Sequence, residues 1–441
     1  MFRKIVKAFI PRKLFKTIEP YGHLAESVLF NVLYGFPARN LKVIGVTGTD
    51  GKTTTTTMIW KLLEESGYKV GYMTTIGYGS HKKQRSNHVH MTTMQIGPML
   101  KRIKELKAEG IEWLVLETTS HALAQNRVWG IPYSIAVMTN VNHEHLDYHG
   151  NFENYQAAKQ RLFHLTGANE KGLQIGVVNA DDPSSALFAG EVPHPLRYGI
   201  NNGDIQAEQI ETISTGSHYV VRRGDKALHI NVNIPGSFNI YNSLAAVCVG
   251  IALDLSNEQI SKGIDALKEV EGRMTSVEEG QEFGVVVDFA HTPDSFEKLL
   301  SDMRQQIKKP HRLIVMFGSA GRRDEKKRAI QGAIAGKYAD LVVVTEEDDR
   351  DIDGMEIMNT IAGGAEQSGK QRGSDLQLIH DRVEAINYAI GQAKKGDVVM
   401  LLGKGHEKTI ERAEGEHPWD EVGEAKKAIA AKRPAKKATK R

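Results

Sequence analysis

The chain has 441 residues, a formal net charge of +3 and 40% hydrophobic residues. That make-up is ordinary for a soluble protein and supplies material for roughly three domains of about 150 residues each. The near-neutral charge gives no global field of the kind that nucleic acid demands. The single cysteine, Cys248, excludes an internal disulfide, and its apolar setting ("SLAAVCVGIAL") reads as inert packing. No run of 18 apolar residues argues for a membrane-spanning helix, and basic residues break the opening apolar stretches too often for a secretory signal.

In chain order, the first ten residues set Phe2, Ile5, Val6, Phe9 and Ile10 on one helical face, with Arg3, Lys4 and Lys7 opposite. That spacing predicts an amphipathic helix, docked on the protein itself or, through residues 1–16, on a membrane surface. "LKVIGV" (41–46) reads as a buried strand, and the helix that opens at Lys52 ends near Gly67. Between them lies "GTDGKTT". Backbone N–H groups at such a helix start cradle phosphate oxygens, and the helix dipole favours their charge. Lys52 then bridges the outer phosphates and the Thr53 hydroxyl ligates magnesium. A general P-loop has glycine where this chain has Val46, so the loop is a variant. Of the five consecutive threonines, Thr53 and Thr54 face the nucleotide and the others cap or pack.

"IEWLVLE" (111–117) ends in Glu117, a carboxylate at the strand edge where a phosphate-bound magnesium would sit. "SIAVMTNV" (134–141) and "LQIGVVN" (173–179) are further strands. "TNVNHEHLDYHG" (139–150) gathers three histidines and two acids, which reads equally as a site or as a polar loop, without the spacing of a zinc motif. Residues 204–234 alternate polar and apolar, predicting a small antiparallel patch, and 239–269 reads as helical. After "EGRM" (271–274) the rhythm restarts with "GVVVDFA" (284–290), "LIVMFG" (313–318), "LVVVT" (341–345) and "VVMLLG" (398–403). Strands alternating with helices imply mostly parallel sheets covered on both faces. The expected division is a short segment 1–40, a central domain 41–270, a second α/β domain 271–425 and a disordered tail 426–441 carrying eight basic residues and no acid.

"GVTGTDGKTT", "ETTSHALAQNRV", "TNVNHEHLDYHGNFENYQAAKQRLF", "GSFNIYNSLAA", "VVDFAHTPDSFEKLL", "FGSAGRRDEKKR" and "LLGKGHE" stand in the order seen in the Mur ligases. Over about 41–425 the chain most resembles the members that add the third amino acid to UDP-N-acetylmuramoyl-dipeptide. The resemblance implies an α/β fold, with a central P-loop ATPase domain and a C-terminal Rossmann-like domain. It also implies a cytoplasmic, monomeric enzyme that uses ATP and two Mg²⁺ ions. In such enzymes ATP phosphorylates a peptide carboxylate, and an amine attacks the acyl phosphate.

By the same resemblance Gly48, Thr49, Asp50, Gly51, Lys52, Thr53 and Thr54 hold the phosphates, and Asn140, Asn239, Asn242, Asp288 and His291 complete the ATP site. Thr53 and Glu117 serve one magnesium, while His145 and Lys159, as a carbamate, serve the other. Residue chemistry alone reads Lys159 as a solvated lysine on a polar helix face. Thr92, Thr93, Thr119, Gln125 and Arg127 match acceptor contacts, with Met94 in place of a proline. Arg323, Glu347, Asp348, Arg350, Gly403 and Glu407 match the amino-acid site. There the family's "DNPR" appears as "EDDR", with Asp349 for proline, and Arg350 favours a substrate side chain bearing a carboxylate. Members of the family carry a UDP-binding domain ahead of the phosphate loop, and residues 1–40 are too few for such a module. Two alternatives are a folylpolyglutamate synthase-like ligase and a nucleotide-binding subunit without ligase activity. "TTSHALAQNR" argues against the first, and intact Lys52, Glu117, His145 and Lys159 argue against the second.

Overall fold

The computed structural model describes residues 12–87, 91–213 and 215–432, with 12–17 and 147 as backbone alone. The apolar stripe expected over the first ten residues lies outside the described residues. The chain is α/β and divides into two compact units. One takes residues up to 211 with 217–232 and 238–268, and the other takes 269 onward with two short pieces, 212–216 and 233–237.

The first unit is built on nine strands. They are β1 (Lys42–Thr47), β2 (Val70–Met73), β3 (Gly77–Ser80), β4 (Gln84–Ser86), β5 (Trp113–Glu117), β6 (Tyr133–Met138), β7 (Ile175–Asn179), β8 (His194–Gly199) and β9 (Ile205–Gln206). Their order is β4-β3-β2-β5-β1-β6-β7-β8-β9. Every pair from β2 to β9 is parallel, and β3 and β4 are added antiparallel at one edge. Central strands covered on both faces need apolar residues at successive positions, and Val43, Ile44 and Val46 of β1 are fully buried. Register fixes where the strand-end loops open. Val46 lies opposite Glu117 on one side and Val137 on the other, so the loops that leave β1, β5 and β6 share one sheet edge.

The alternating stretch forms a three-stranded sheet, β10 (Glu208–Ile213), β11 (Gly216–Arg223) and β12 (Lys226–Val232), in which β11 and β12 pair antiparallel. The helical stretch after it is two helices, Phe238–Ala252 and Asn257–Asp265. Asp254 takes a left-handed conformation (φ 56°) that ends the first. Ser256 starts the second with a reciprocal cap, its hydroxyl accepting from Gln259 N while Gln259 Oε1 accepts from Ser256 N.

The second unit holds β13 (Thr275–Ser276), β14 (Gly284–Asp288), β15 (Leu313–Phe317), β16 (Leu341–Val344), β17 (Leu376–Leu378) and β18 (Val398–Leu402), in the order β13-β14-β18-β15-β16-β17. All but β13 run parallel. A hairpin, β19 (Thr409–Arg412) and β20 (Gly415–Pro418), comes after them.

The disorder expected from residue 426 does not hold for 426–432, and residues 433–441 lie outside the described residues. Residues 426–432 complete the helix Glu421–Lys432, whose Ala425, Ala428 and Ile429 are buried against the second core. Two devices hold it. Arg382 and Glu421, both fully buried, form a bidentate ion pair (2.7 and 2.9 Å), while the guanidinium also donates to the carbonyls of Glu346 and Leu402. At the other end Lys432 Nζ donates to the carbonyls of Ile390, Gly391 and Ala393, where the helix Arg382–Gln392 presents its negative dipole end. Removing one partner of a buried pair leaves the other charge uncompensated, at a cost of about 3–5 kcal/mol. Glu421→Ala is therefore expected to lower the urea midpoint of the second unit strongly, and an unchanged midpoint would refute this anchoring.

Candidate active site

The loop between β1 and the helix Lys52–Glu65 is shaped by close approach. A Cβ on Gly51 (φ +80°) would lie 2.3 Å from Asn242 Oδ1, and one on Gly48 would lie 1.8 Å from Thr139 Oγ1. Side chains from other strand ends grip the same turn. Asp50 N donates to Asn140 Oδ1 (2.9 Å), and Asn140 Nδ2 and Thr139 Oγ1 donate back to the Asp50 carbonyl. Thr49 Oγ1 accepts from Asn142 N (2.9 Å) and lies 3.0 Å from the Tyr155 hydroxyl. Lys52 Nζ folds onto the Thr49 carbonyl (2.7 Å). Asn242 accepts from Thr55 Oγ1 and donates to Asn239 Oδ1, so both asparagines brace the helix start. All five threonines are buried.

Glu117 ends β5 with 1% exposure. Thr53 Oγ1 lies 3.0 Å from both of its carboxylate oxygens, and Thr75 donates to it from backbone N (2.8 Å) and hydroxyl (3.0 Å). From there a chain of bonds runs through the residues matched to the acceptor. Thr75 Oγ1 lies 3.0 Å from Thr92 Oγ1, and Thr93 Oγ1 donates to the Glu117 carbonyl while accepting from Thr119 N. Arg127 Nη1 donates to the Thr93 carbonyl. Thr119 also caps the helix Ser120–Ala124. Gln125, at that helix's end, bonds the Tyr148 hydroxyl. Sequence reading missed Thr75, whose only signal is its place just after β2.

Lys159 is fully buried rather than solvated. Its helix, Phe152–Gly167, turns this position toward the loop, and Nζ donates to the Gly48 carbonyl and lies 4.5 Å from the Tyr155 ring centre. Loss of solvation, and then the nearby positive Lys52, hold its amine well below the usual lysine range. His145 adopts a left-handed conformation (φ 55°) at the start of the helix Leu146–His149, with Nε2 3.6 Å from Glu144. His121, which sequence reading passed over, lies among His145, His149 and Tyr148, with ring centres 4.7, 5.3 and 4.4 Å away. Burial first, and then the neighbouring histidines, lower it to about 3, so it is neutral at pH 7. Among the described residues the histidine-rich loop forms no converging metal triad; the group that converges is Glu346, Asp349 and His380 of the second unit.

In the second unit both Asp288 oxygens accept backbone N–H groups, from Met274 and Ala290 (2.7 Å each), while burial raises its pKa. His291 Nδ1 lies 3.0 Å from the Phe289 carbonyl. A separate charged cluster surrounds Lys404, which is fully buried between Asp348 (2.8 Å) and Glu407 (2.5 Å). Gly403 (φ +102°) leaves room for Glu347, since a Cβ there would lie 2.6 Å from Oε2. Arg350 donates to Glu411 Oε2 (2.7 Å) and to the Gly321 carbonyl, with Asp348 at 3.9 Å. Asp349, at the family's proline position, pairs with His380 (2.8 Å). The structure thus gathers Glu347, Asp348, Arg350, Gly403 and Glu407, and leaves Arg323 exposed. Lys404, Glu411 and His380 were not legible as members of this cluster.

The glycine geometry is testable. An alanine at residue 51 would force the loop off its cradle, and regaining the left-handed turn costs about 1–2 kcal/mol. Gly51→Ala is expected to weaken ATP binding about tenfold by titration calorimetry; wild-type affinity would remove the loop from the nucleotide site.

Comparison with known proteins agrees with this geometry. The Mur ligase middle domain matches residues 46–250, and the Mur ligase, glutamate ligase domain matches 272–405. A UDP-N-acetylmuramyl-tripeptide synthetase of Roseiflexus sp. (strain RS-1) is 39% identical over 423 residues, 93% of this chain and 83% of that protein. A UDP-N-acetylmuramoyl-L-alanyl-D-glutamate–2,6-diaminopimelate ligase of Geobacillus thermodenitrificans (strain NG80-2) is 38% identical over 394 residues, 88% of this chain and 79% of that protein. A solved ligase of that same name superposes with a TM-score of 0.63 at 28% identity, covering 94% of this chain and 83% of that one. The folylpolyglutamate synthase of Mycobacterium tuberculosis, with a TM-score of 0.68 over 86% of this chain and 92% of that one, is only 16% identical and shares the fold. Related in sequence along most of its length, and carrying a tight glycine turn backed by a buried carboxylate, the chain belongs to the Mur ligase family of ATP-dependent acid–amino-acid ligases.

Proposed function

We propose that this ligase adds the third amino acid, meso-diaminopimelate or a related diamino acid, to a UDP-N-acetylmuramoyl-L-alanyl-D-glutamate-type acceptor in cytoplasmic peptidoglycan precursor synthesis. The observation that carries the chemistry is the meeting of Lys52, Thr53, Glu117 and Lys159 at one glycine turn. The names of the relatives support the substrates. Residues 41–270 act as the ATP-binding domain and 271–425 as the C-terminal ligase domain.

An acceptor carboxylate oxygen attacks the γ-phosphorus of ATP, and ADP leaves. The amine nitrogen then attacks the acyl carbon, phosphate leaves, and a proton is released as the amide forms. Loop N–H groups and Lys52 hold the phosphates in line, so positioning and charge neutralisation do most of the work. The Thr53 hydroxyl and the Glu117 carboxylate are hard oxygen donors 3.0 Å apart, a pair suited to Mg²⁺. Magnesium, when bound, offsets the repulsion between the phosphate and the attacking carboxylate. Lys159 as an amine is no ligand for it. Carbamylation adds carbon dioxide to the neutral amine, which burial and Lys52 favour, and releases a proton; the carbamate oxygens and His145 would be the groups to hold a second ion.

Two outcomes test this reading. Lys159→Ala is expected to lose ATP- and acceptor-dependent turnover and to regain part of it with a small added carboxylic acid, which restores an anion in the space left. Wild-type turnover in the variant would remove the carbamate. In the second unit Arg350, released from Glu411, and the exposed Arg323 would supply guanidinium donors for a distal carboxylate. Diaminopimelate is therefore expected to exceed lysine by about a hundredfold in kcat/KM. Equal use of the two would overturn the substrate while leaving the ligase chemistry standing.

A further inference from the structure

The helix Arg12–Tyr34 packs on the protein through a mixed face. His23, Ser27 and Asn31, four residues apart, are its buried positions over 18–34, and Phe30 and Tyr34 lie partly buried against the core beside them. They are held by the protein. Ser27 Oγ donates to the Asn126 carbonyl (3.0 Å) and Asn31 Nδ2 to the Trp129 carbonyl (3.0 Å), while Asn126 Nδ2 donates back to the Pro20 carbonyl (3.1 Å). Its exposed stripe is apolar. Ile18, Tyr21, Val28, Leu29, Val32 and Leu33 face outward, with Tyr21 70% and Leu33 68% exposed. The other exposed helix positions from 18 to 34 are Gly22 and Ala25, so the stripe carries no charge. Phe36 and Trp129, also exposed, extend the patch, with ring centres 6.4 Å apart. A helix on the surface of a water-soluble protein turns a polar face outward, and a continuous apolar patch of this kind marks an interaction surface.

Charge indicates what covers it. Arg12, Lys13 and Lys16 open the same helix, Arg3, Lys4 and Lys7 precede it in sequence, and no acid occurs before Glu19. An apolar stripe with cations at one end complements a lipid surface bearing anionic headgroups, where each basic residue near the surface contributes on the order of 1 kcal/mol. Glu19, His23 and Glu26 break the apolar run of the helix, and no described helix is long and apolar enough to cross a membrane. A helix of this kind lies in the interface plane. We propose that the helix Arg12–Tyr34 seats this ligase on an anionic lipid surface, with Tyr21, Leu29, Val32 and Leu33 entering the headgroup boundary. The inference is independent of which amino acid the enzyme adds.

Co-sedimentation of the full-length protein with vesicles tests it. Binding to equimolar phosphatidylglycerol and phosphatidylcholine is expected to exceed binding to phosphatidylcholine alone by about tenfold and to fall as salt is raised. The double variant Leu29→Glu/Leu33→Glu changes two exposed side chains outside the catalytic machinery. It is expected to keep ATP affinity and turnover in solution and to lose about tenfold in vesicle binding. Three results would overturn the proposal. The wild-type protein stays in the supernatant at low salt, or the double variant binds as well as wild type. In the third, sedimentation equilibrium finds a wild-type dimer that the double variant dissolves and that does not bind vesicles, so that the stripe joins two copies of the chain.

Discussion

Burying a carboxylate is costly unless donors surround it, and the arrangement of the first unit depends on how Glu117 meets that requirement. Its oxygens are met by Thr53 at the start of the phosphate-loop helix and by Thr75 just beyond β2, and its own carbonyl accepts from Thr93. One strand-end residue thereby holds three segments far apart in sequence. The parallel register supplies the rest, because Val46 opposite Glu117 sets the turn of β1 beside that carboxylate. The same hydroxyl and carboxylate that satisfy each other here are the donor pair suited to a hard cation.

The two units treat charge differently. Around the loop, burial favours uncharged bases: the Lys159 amine is held well below its usual range, and His121 is lowered to about 3. Both depart from their ordinary behaviour chiefly through loss of solvation, with positive neighbours adding to it. In the second unit buried charges are retained and paired, as in Asp348–Lys404–Glu407 and Arg382–Glu421. Arg350 is likewise matched by Glu411 and is no isolated cation. Asp349 in the place of a proline restores a backbone donor to this loop and adds the contact to His380.

The same physics governs how much of the fold and the site was legible in the sequence. Strands β1, β5, β6, β7, β14, β15, β16 and β18 announce themselves because burial on both faces demands unbroken apolar runs. Edge pieces such as β3, β4 and β9 are short and partly polar, and carry no such signal. Gly48, Gly51, Lys52 and Thr53 mark a turn between strand and helix, and that strand–turn–helix is what the structure has. Lys159 does not declare itself: a lysine on a helix reads as solvated whatever lies above it, and only the resemblance singled it out. The final helix was obscured because basic composition between 426 and 441 outweighed Ala428 and Ile429, whose burial depends on a partner surface. The helix Arg12–Tyr34 was not read from the sequence, where only residues 2–10 showed an apolar stripe, and the face it packs is set by Asn126 and Trp129, about a hundred residues away in the chain.

The sheet order of the second unit bears on how the chain is made. β18 lies between β14 and β15, yet it comes after both in sequence by more than eighty residues. While the polypeptide emerges, β14 has only the two-residue β13 beside it, and β15 has β16 on one side and an open edge on the other. The first unit has its strands in hand by then and folds ahead, as domains generally do during synthesis. The second waits with two hydrophobic strand edges unpaired until residues 398–402 slot between them. Unpaired edges of this kind are where chains join wrongly. The edges of β14 and β15 that β18 later covers are thus open to wrong pairing over the interval between synthesis of β15 and insertion of β18.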